Sequence, residues 1–168
     1  MNFKKILVGA TAGAIVLGAV TIPVFAKPAD RSLNGGGEVV EDNYKISFGG
    51  NIKEIGEALK GQFEVNFHNV SNSNVSGGKF HSTEISDVNW FAGEATCKAA
   101  MNVTMSGKFN GEEGYTLVVR AGDDEDTVRF TLTGPGVSYD TYPSDFTGES
   151  SCVGTARTGI DNGSITIK

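Results

Sequence analysis

Ala95-Thr96-Cys97-Lys98-Ala99-Ala100-Met101-Asn102-Val103-Thr104-Met105 is the stretch whose reading decides the fold. Ala95, Cys97, Ala99, Met101, Val103 and Met105 alternate with Thr96, Lys98, Ala100, Asn102 and Thr104. A strand sends successive side chains to opposite faces, so this order gives one oily face and one largely polar face, whereas a helix would scatter the same residues around its circumference. The period of two predicts a half-buried β-strand.

The same period recurs outward in both directions. Tyr44, Ile46 and Phe48 alternate with Asn43, Lys45 and Ser47, and Phe63, Val65 and Phe67 alternate with Gln62, Glu64, Asn66 and His68. Tyr115, Leu117 and Val119 precede Val128, Phe130 and Leu132 across the acidic connection 121–126, which makes a hairpin the economical pairing. A last short strand holds Ile165 and Ile167 after the turn Asp161-Asn162-Gly163. Within Gly78 to Ser86, Phe80 and Ile85 are five apart and share a face only if an extra residue is inserted, so a bulge is expected near Ser82-Thr83. Ile52 to Gly61 hints at a turn or two of helix through Ile55, Ala58 and Leu59, limited by Gly56 and Gly61. The fold class expected is all-β and antiparallel, a β-sandwich or a closed β-barrel, in a single domain.

Lys4 and Lys5 followed by an uncharged run from Ile6 to Ala26 form a secretory signal pattern, with Val24-Phe25-Ala26 as the cleavage site and Pro23 breaking the run. The competing reading is a retained anchor, because the run is just long enough to span a hydrocarbon core of about 30 Å. The organisation expected is a signal peptide over 1–26, a flexible lead-in over 27–37 and an all-β domain over 38–168. The lead-in is inferred from Pro28, its polar residues and the triplet Gly35-Gly36-Gly37, which offer little apolar surface to bury. Removing the leader takes away Lys4 and Lys5 and leaves 12 basic residues against 20 acidic ones, a net charge of −8. Such a surface repels nucleic acid and anionic lipid, so neither is expected as a partner, and the mature chain is expected to have no membrane attachment. Cys97 and Cys152 are the two cysteines of an exported chain, which predicts a disulfide between them.

The segments Gly35-Gly36-Gly37-Glu38, Tyr44-Lys45-Ile46-Ser47-Phe48-Gly49-Gly50, Lys60-Gly61-Gln62-Phe63, Gly114-Tyr115-Thr116-Leu117, Asp126-Thr127-Val128-Arg129-Phe130 and Gly163-Ser164-Ile165-Thr166-Ile167-Lys168 follow one another in an order that resembles the post-COAP domain family of exported bacterial proteins, over Gly35 to Lys168. The resemblance implies a small, secreted, all-β domain. It carries no assigned activity, so no catalytic residue is transferred.

The chemistry-bearing residues are few. His68 and His81 are the two histidines; they would form a metal pair only if their strands brought them together, and two solvated strand histidines are the simpler expectation. Gly148-Glu149-Ser150-Ser151-Cys152 lacks the second glycine of a nucleophile elbow. Asp123, Asp124, Glu125 and Asp126 gather four acids, with Asp123, Asp124 and Asp126 as weak metal candidates, yet they lack the spacing of a calcium loop and read first as a solvated hairpin tip. No metal or other cofactor is expected. Tyr139, Tyr142 and Phe146 crowd the connection Gly134 to Gly148, and together with Trp90 they are the expected binding residues, against the alternative that the rings cap the sheet. The function expected is a secreted or cell-surface, non-catalytic domain with a binding or structural role, whose partner is a glycan or another cell-envelope component. The alternatives are an extracellular hydrolase of a polymer, using facing carboxylates about 5 to 10 Å apart, and a barrel enclosing a small apolar ligand.

Overall fold

The structure is a computed structural model that describes residues 31–41, 44–70, 77–92, 99–123, 126–141 and 158–168. Among these residues the fold is all-β, with no helix: β1 (Arg31–Glu41), β2 (Tyr44–Ile55), β3 (Ala58–Val70), β4 (Gly78–Ala92), β5 (Ala99–Phe109), β6 (Glu112–Gly122), β7 (Thr127–Gly134), β8 (Val137–Asp140), β9 (Thr158–Gly159) and β10 (Asn162–Ile167). The strands form one curled antiparallel sheet in the order β10-β1-β2-β3-β4-β5-β6-β7-β8, with β9 also paired to β7.

Turn chemistry sets the register. Gly56-Glu57 joins β2 to β3 with Gly56 at φ 64°, and Asn110-Gly111 joins β5 to β6 with both residues left-handed, the backbone that two-residue hairpins require. The helical hint around Ile55 to Leu59 therefore resolves into a hairpin tip, where Ile55 pairs with Ala58. The bulge expected in β4 is present. Ser82 faces Gly107 and Glu84 faces Ser106, so Thr83 is the extra residue, and a second bulge follows at Ser86.

The flexible lead-in is corrected. Arg31 to Gly37 belong to β1, which pairs with β2 on one side and β10 on the other. The glycine triplet serves close approach: a Cβ at Gly35 or Gly37 would run into the carbonyl oxygen of Ser164 or Asn162, and one at Gly36 would lie 2.8 Å from the Phe48 carbonyl oxygen. Composition reads these glycines as disorder, whereas the partner backbones need them.

The apolar faces turn inward and make a single core from Leu33 in β1 to Ile167 in β10. Phe48 on β2 meets Phe130 on β7 at 5.2 Å between ring centres, and Phe67 on β3 meets Tyr139 on β8 at 5.4 Å. Rings from opposite walls of the curl thus touch, and at these points side chains fill the space between the walls.

Beyond β8, Thr141 continues along β7: its N–H donates to the Phe130 carbonyl and its Oγ1 accepts from the Phe130 N–H. Thr158 of β9 then pairs with Val128 on the same edge. Past β9 the chain leaves β7 and runs on as β10 beside β1. The β6–β7 hairpin ties down this crossing, because Asp126 Oδ1 accepts from the Ile165 N–H at 2.8 Å and Asp123 Oδ2 from the Ile167 N–H at 3.2 Å. Carboxylates thus stand in for the missing strand partner on that edge of β10. Asp126→Ala is expected to cost about 1–3 kcal/mol, since it strands the Ile165 N–H. Asp126→Asn, which keeps an oxygen acceptor and tolerates the left-handed backbone at φ 47°, should lose much less; urea unfolding of the two variants checks this order.

Candidate functional site

The structure redistributes the residues expected to bind. Tyr139 is a core residue: its ring packs edge-on against Tyr44 and Phe67, and burial, with Tyr44 adding to it, pushes its hydroxyl well above the usual phenol range. Tyr139 is thereby corrected from a ligand contact to a cap on the core, because it lies on β8 facing inward and not in an exposed loop. Trp90, opposite Met101, is half-buried against the same core. Tyr142 and Phe146 lie outside the described residues, as do Cys97, Cys152 and Asp124. Asp123 and Asp126 are engaged by β10, and among the described residues no group of three potential metal ligands gathers.

The two histidines do not converge. His68 sits at a bulge in β3, with Nε2 2.9 Å from Ser47 Oγ, whereas His81 on β4 faces Glu64, with Nδ1 2.8 Å from Oε1. His68 and Glu64 are four positions apart on β3, about 13 Å in an extended strand, so the histidines serve separate neighbours.

The ladder brings together something else on the outward face. Ser164, Gly36, Gly49, Glu64, His81 and Lys108 form one row across β10, β1, β2, β3, β4 and β5. Two consecutive members of that row have no side chain. The neighbouring rows carry Glu38, Ser47 and Asn66 on one side and Asn34, Asn51 and Gln62 on the other. The result is a trough running across the strands, with Gly36 and Gly49 in its floor and Glu64 at one end. The part over β2 and β3 is a groove of about 360 Å³ walled by Ser47, Asn51, Gln62, Glu64 and Asn66.

Two features give the groove its character. Lys79 Nζ and His81 Nδ1 each lie 2.8 Å from the Glu64 carboxylate, and these bonds, that of Lys79 foremost, hold the carboxyl below the usual glutamate range. Glu64 thus stays ionised and oriented while its charge is offset. Among the described residues, none engages the side-chain amides of Asn51, Gln62 or Asn66.

Gly49 is the second feature. A Cβ at Gly50 would strike the Gln62 carbonyl and the Phe63 ring, so the fold demands glycine there. Among the described residues, a Cβ at Gly49 would meet nothing nearer than the Gly35 carbonyl oxygen at 3.9 Å, and its φ is not in the left-handed region. Glycine in a strand interior costs about 0.5–1 kcal/mol relative to alanine, and here the fold gains nothing in exchange. A strand glycine without a packing reason marks a place where another molecule comes close. The sequence signal for this site was Gly49-Gly50 inside an otherwise alternating strand.

No protein-family model, curated protein or solved structure matches the chain.

Proposed function

We propose that this chain is an exported, non-catalytic β domain of the cell surface or surroundings that binds an envelope component through the groove over Gly49. The observation that carries the reading is the groove itself: a polar trough on a rigid sheet, opened by a glycine that the fold does not need. The leader pattern at Lys4 to Ala26 and the resemblance to exported bacterial domains support the location. Binding is favoured over polymer hydrolysis because, among the described residues, Glu64 is the one carboxylate lining the groove, and a hydrolase of that type needs two facing each other.

Gly49→Leu fills the groove without touching the core. The fraction of protein retained on an insoluble bacterial cell-envelope preparation is expected to fall by roughly tenfold or more, while the melting temperature moves by less than about 4 °C, the size of a 1 kcal/mol effect in a domain of this length. Retention unchanged by Gly49→Leu would remove the groove from the function. Release of soluble fragments, abolished by Glu64→Gln, would replace binding with hydrolysis.

Export also frames the cysteines. We propose that Cys97 and Cys152 pair. The described residues that flank them in sequence lie towards one rim of the sheet, Ala92 and Ala99 for Cys97 and Thr141 and Thr158 for Cys152, with β6 and β7 between the two pairs. Secreted protein is expected to begin at Lys27 by intact mass and to show no free thiol when labelled unreduced in denaturant; two labelled thiols would exclude the bridge.

A further inference from the structure

We infer that the groove takes an uncharged, hydroxyl-rich chain, a neutral oligosaccharide, laid across β1 and β2 with one end against Glu64. The inference rests on the groove being the binding site and adds the chemistry of its ligand.

Charge is the first ground. The two basic side chains at the Glu64 end, Lys79 and His81, are both turned onto Glu64, and among the described residues the groove lining holds no cation; Lys53 and Lys60 face each other one row beyond Asn51 and Gln62, outside that lining. A cationic ligand would have to displace Lys79 from a carboxylate it already holds. The strong net negative charge of the mature chain further opposes acidic polymers.

Hydrogen bonding is the second ground. Asn51 faces Gln62 and Ser47 faces Asn66 across the β2–β3 ladder, so each wall of the groove is a cross-strand pair that includes an amide. An amide offers a donor and an acceptor side by side, and a carboxylate adds acceptors alone. That set matches hydroxyl groups, each of which both donates and accepts. The backbone of β2 cannot serve instead, because β1 and β3 pair with it on both sides. An extended peptide, which binds a sheet by adding a strand at a free edge, finds no edge there.

Shape is the third. The two walls stand four positions apart on β2, about 13 Å, and the floor between them continues over Gly36 towards Ser164. The free path runs across the strands, so a linear chain can extend beyond the groove. Among the described residues no aromatic ring lies in the walls to act as a stacking platform; Phe48, which contributes to the floor, is buried with its ring in the core. The affinity is therefore carried by hydrogen bonds and is expected to be modest, with a Kd in the millimolar to high micromolar range.

The test is isothermal titration of the mature protein with short linear oligomers of glucose and of N-acetylglucosamine, with oligogalacturonate and oligolysine as charged probes. At least one neutral oligomer is expected to bind, with an affinity that high salt leaves unchanged. Gly49→Leu should weaken it by roughly tenfold or more and Gln62→Ala by roughly threefold or more. Glu113→Gln, on β6 away from the groove, should leave it unaltered. Binding of only a charged oligomer, blocked by Gly49→Leu, would overturn the ligand class and leave the groove standing. Neutral binding indifferent to Gly49→Leu would overturn the groove and with it this inference. Failure of every neutral oligomer would overturn the ligand class outright.

Discussion

Asp140→Ala is expected to destabilise the folded chain by about 3–5 kcal/mol, the cost of breaking a buried ion pair from one side. Arg129 is 1% exposed although its neighbours Val128 and Phe130 point inward and it points out. Its Nε and Nη2 both donate to Asp140, each at 2.8 Å, in the two-pronged arrangement that planar guanidinium and carboxylate groups favour. Arg120 faces Arg129 across the β6–β7 ladder, where burial, and then the charge of Arg129, pull it below the usual arginine range while Asp140 pulls it back up. Asp140 therefore serves two guanidiniums, and its removal leaves like charges side by side in a poorly solvated place. Replacing both members of the ion pair, as Arg129→Met with Asp140→Leu, should recover part of the loss, because the fully buried guanidinium goes with its carboxylate and Arg120 is relieved of the like charge beside it. Guanidinium chloride unfolding of the single and double variants measures the difference. A loss below about 1 kcal/mol for Asp140→Ala would mean that water reaches Arg129 after all.

A second loss of similar size, about 3–5 kcal/mol, is expected for Phe130→Ala. Phe130 is fully buried on β7 and touches Phe48 on β2, so it joins walls of the curl that are far apart in the strand order. Phe48 is held back from the gap, because it is already stacked on Phe63 at 6.1 Å. A double-mutant cycle with Phe48→Ala should return a coupling of roughly 0.5–1.5 kcal/mol, the range for tilted aromatic pairs. A cycle that closes to zero would show that the two walls are stabilised independently.

Period-two alternation placed most strands in the sequence, and it did so because each has one face against the core and one against water. It also located the bulge in β4, since Phe80 and Ile85 share a face only if a residue is skipped. It failed where side chains are missing: β1 has three consecutive glycines, so composition outweighed a strand whose need for them comes from β10 and β2. Tyr139 was misplaced for a related reason. Pro135-Gly136 is a tight turn between β7 and β8, with Gly136 at φ 69°, but Pro and Gly at the head of an undecided segment read equally well as the start of a long loop. The groove was legible only in part: Gly49-Gly50 interrupts the alternation of β2, but that Gly36 lies beside Gly49 is a property of register. Asp123 and Asp126 gave a visible cluster whose use was hidden, since their partners are backbone N–H groups about forty residues further on.

The edge of β7 has a consequence for how the chain can change. Thr131 faces Asp140 and Val128 faces Thr158, so three steps along β7 correspond to eighteen along the facing chain. The facing chain is therefore fifteen residues longer than three steps of ladder, and the difference falls opposite Arg129. Without them β8 and β9 would be one uninterrupted strand. Chain length can therefore change opposite Arg129 while the pairs on either side, Thr131 with Asp140 and Val128 with Thr158, keep their register.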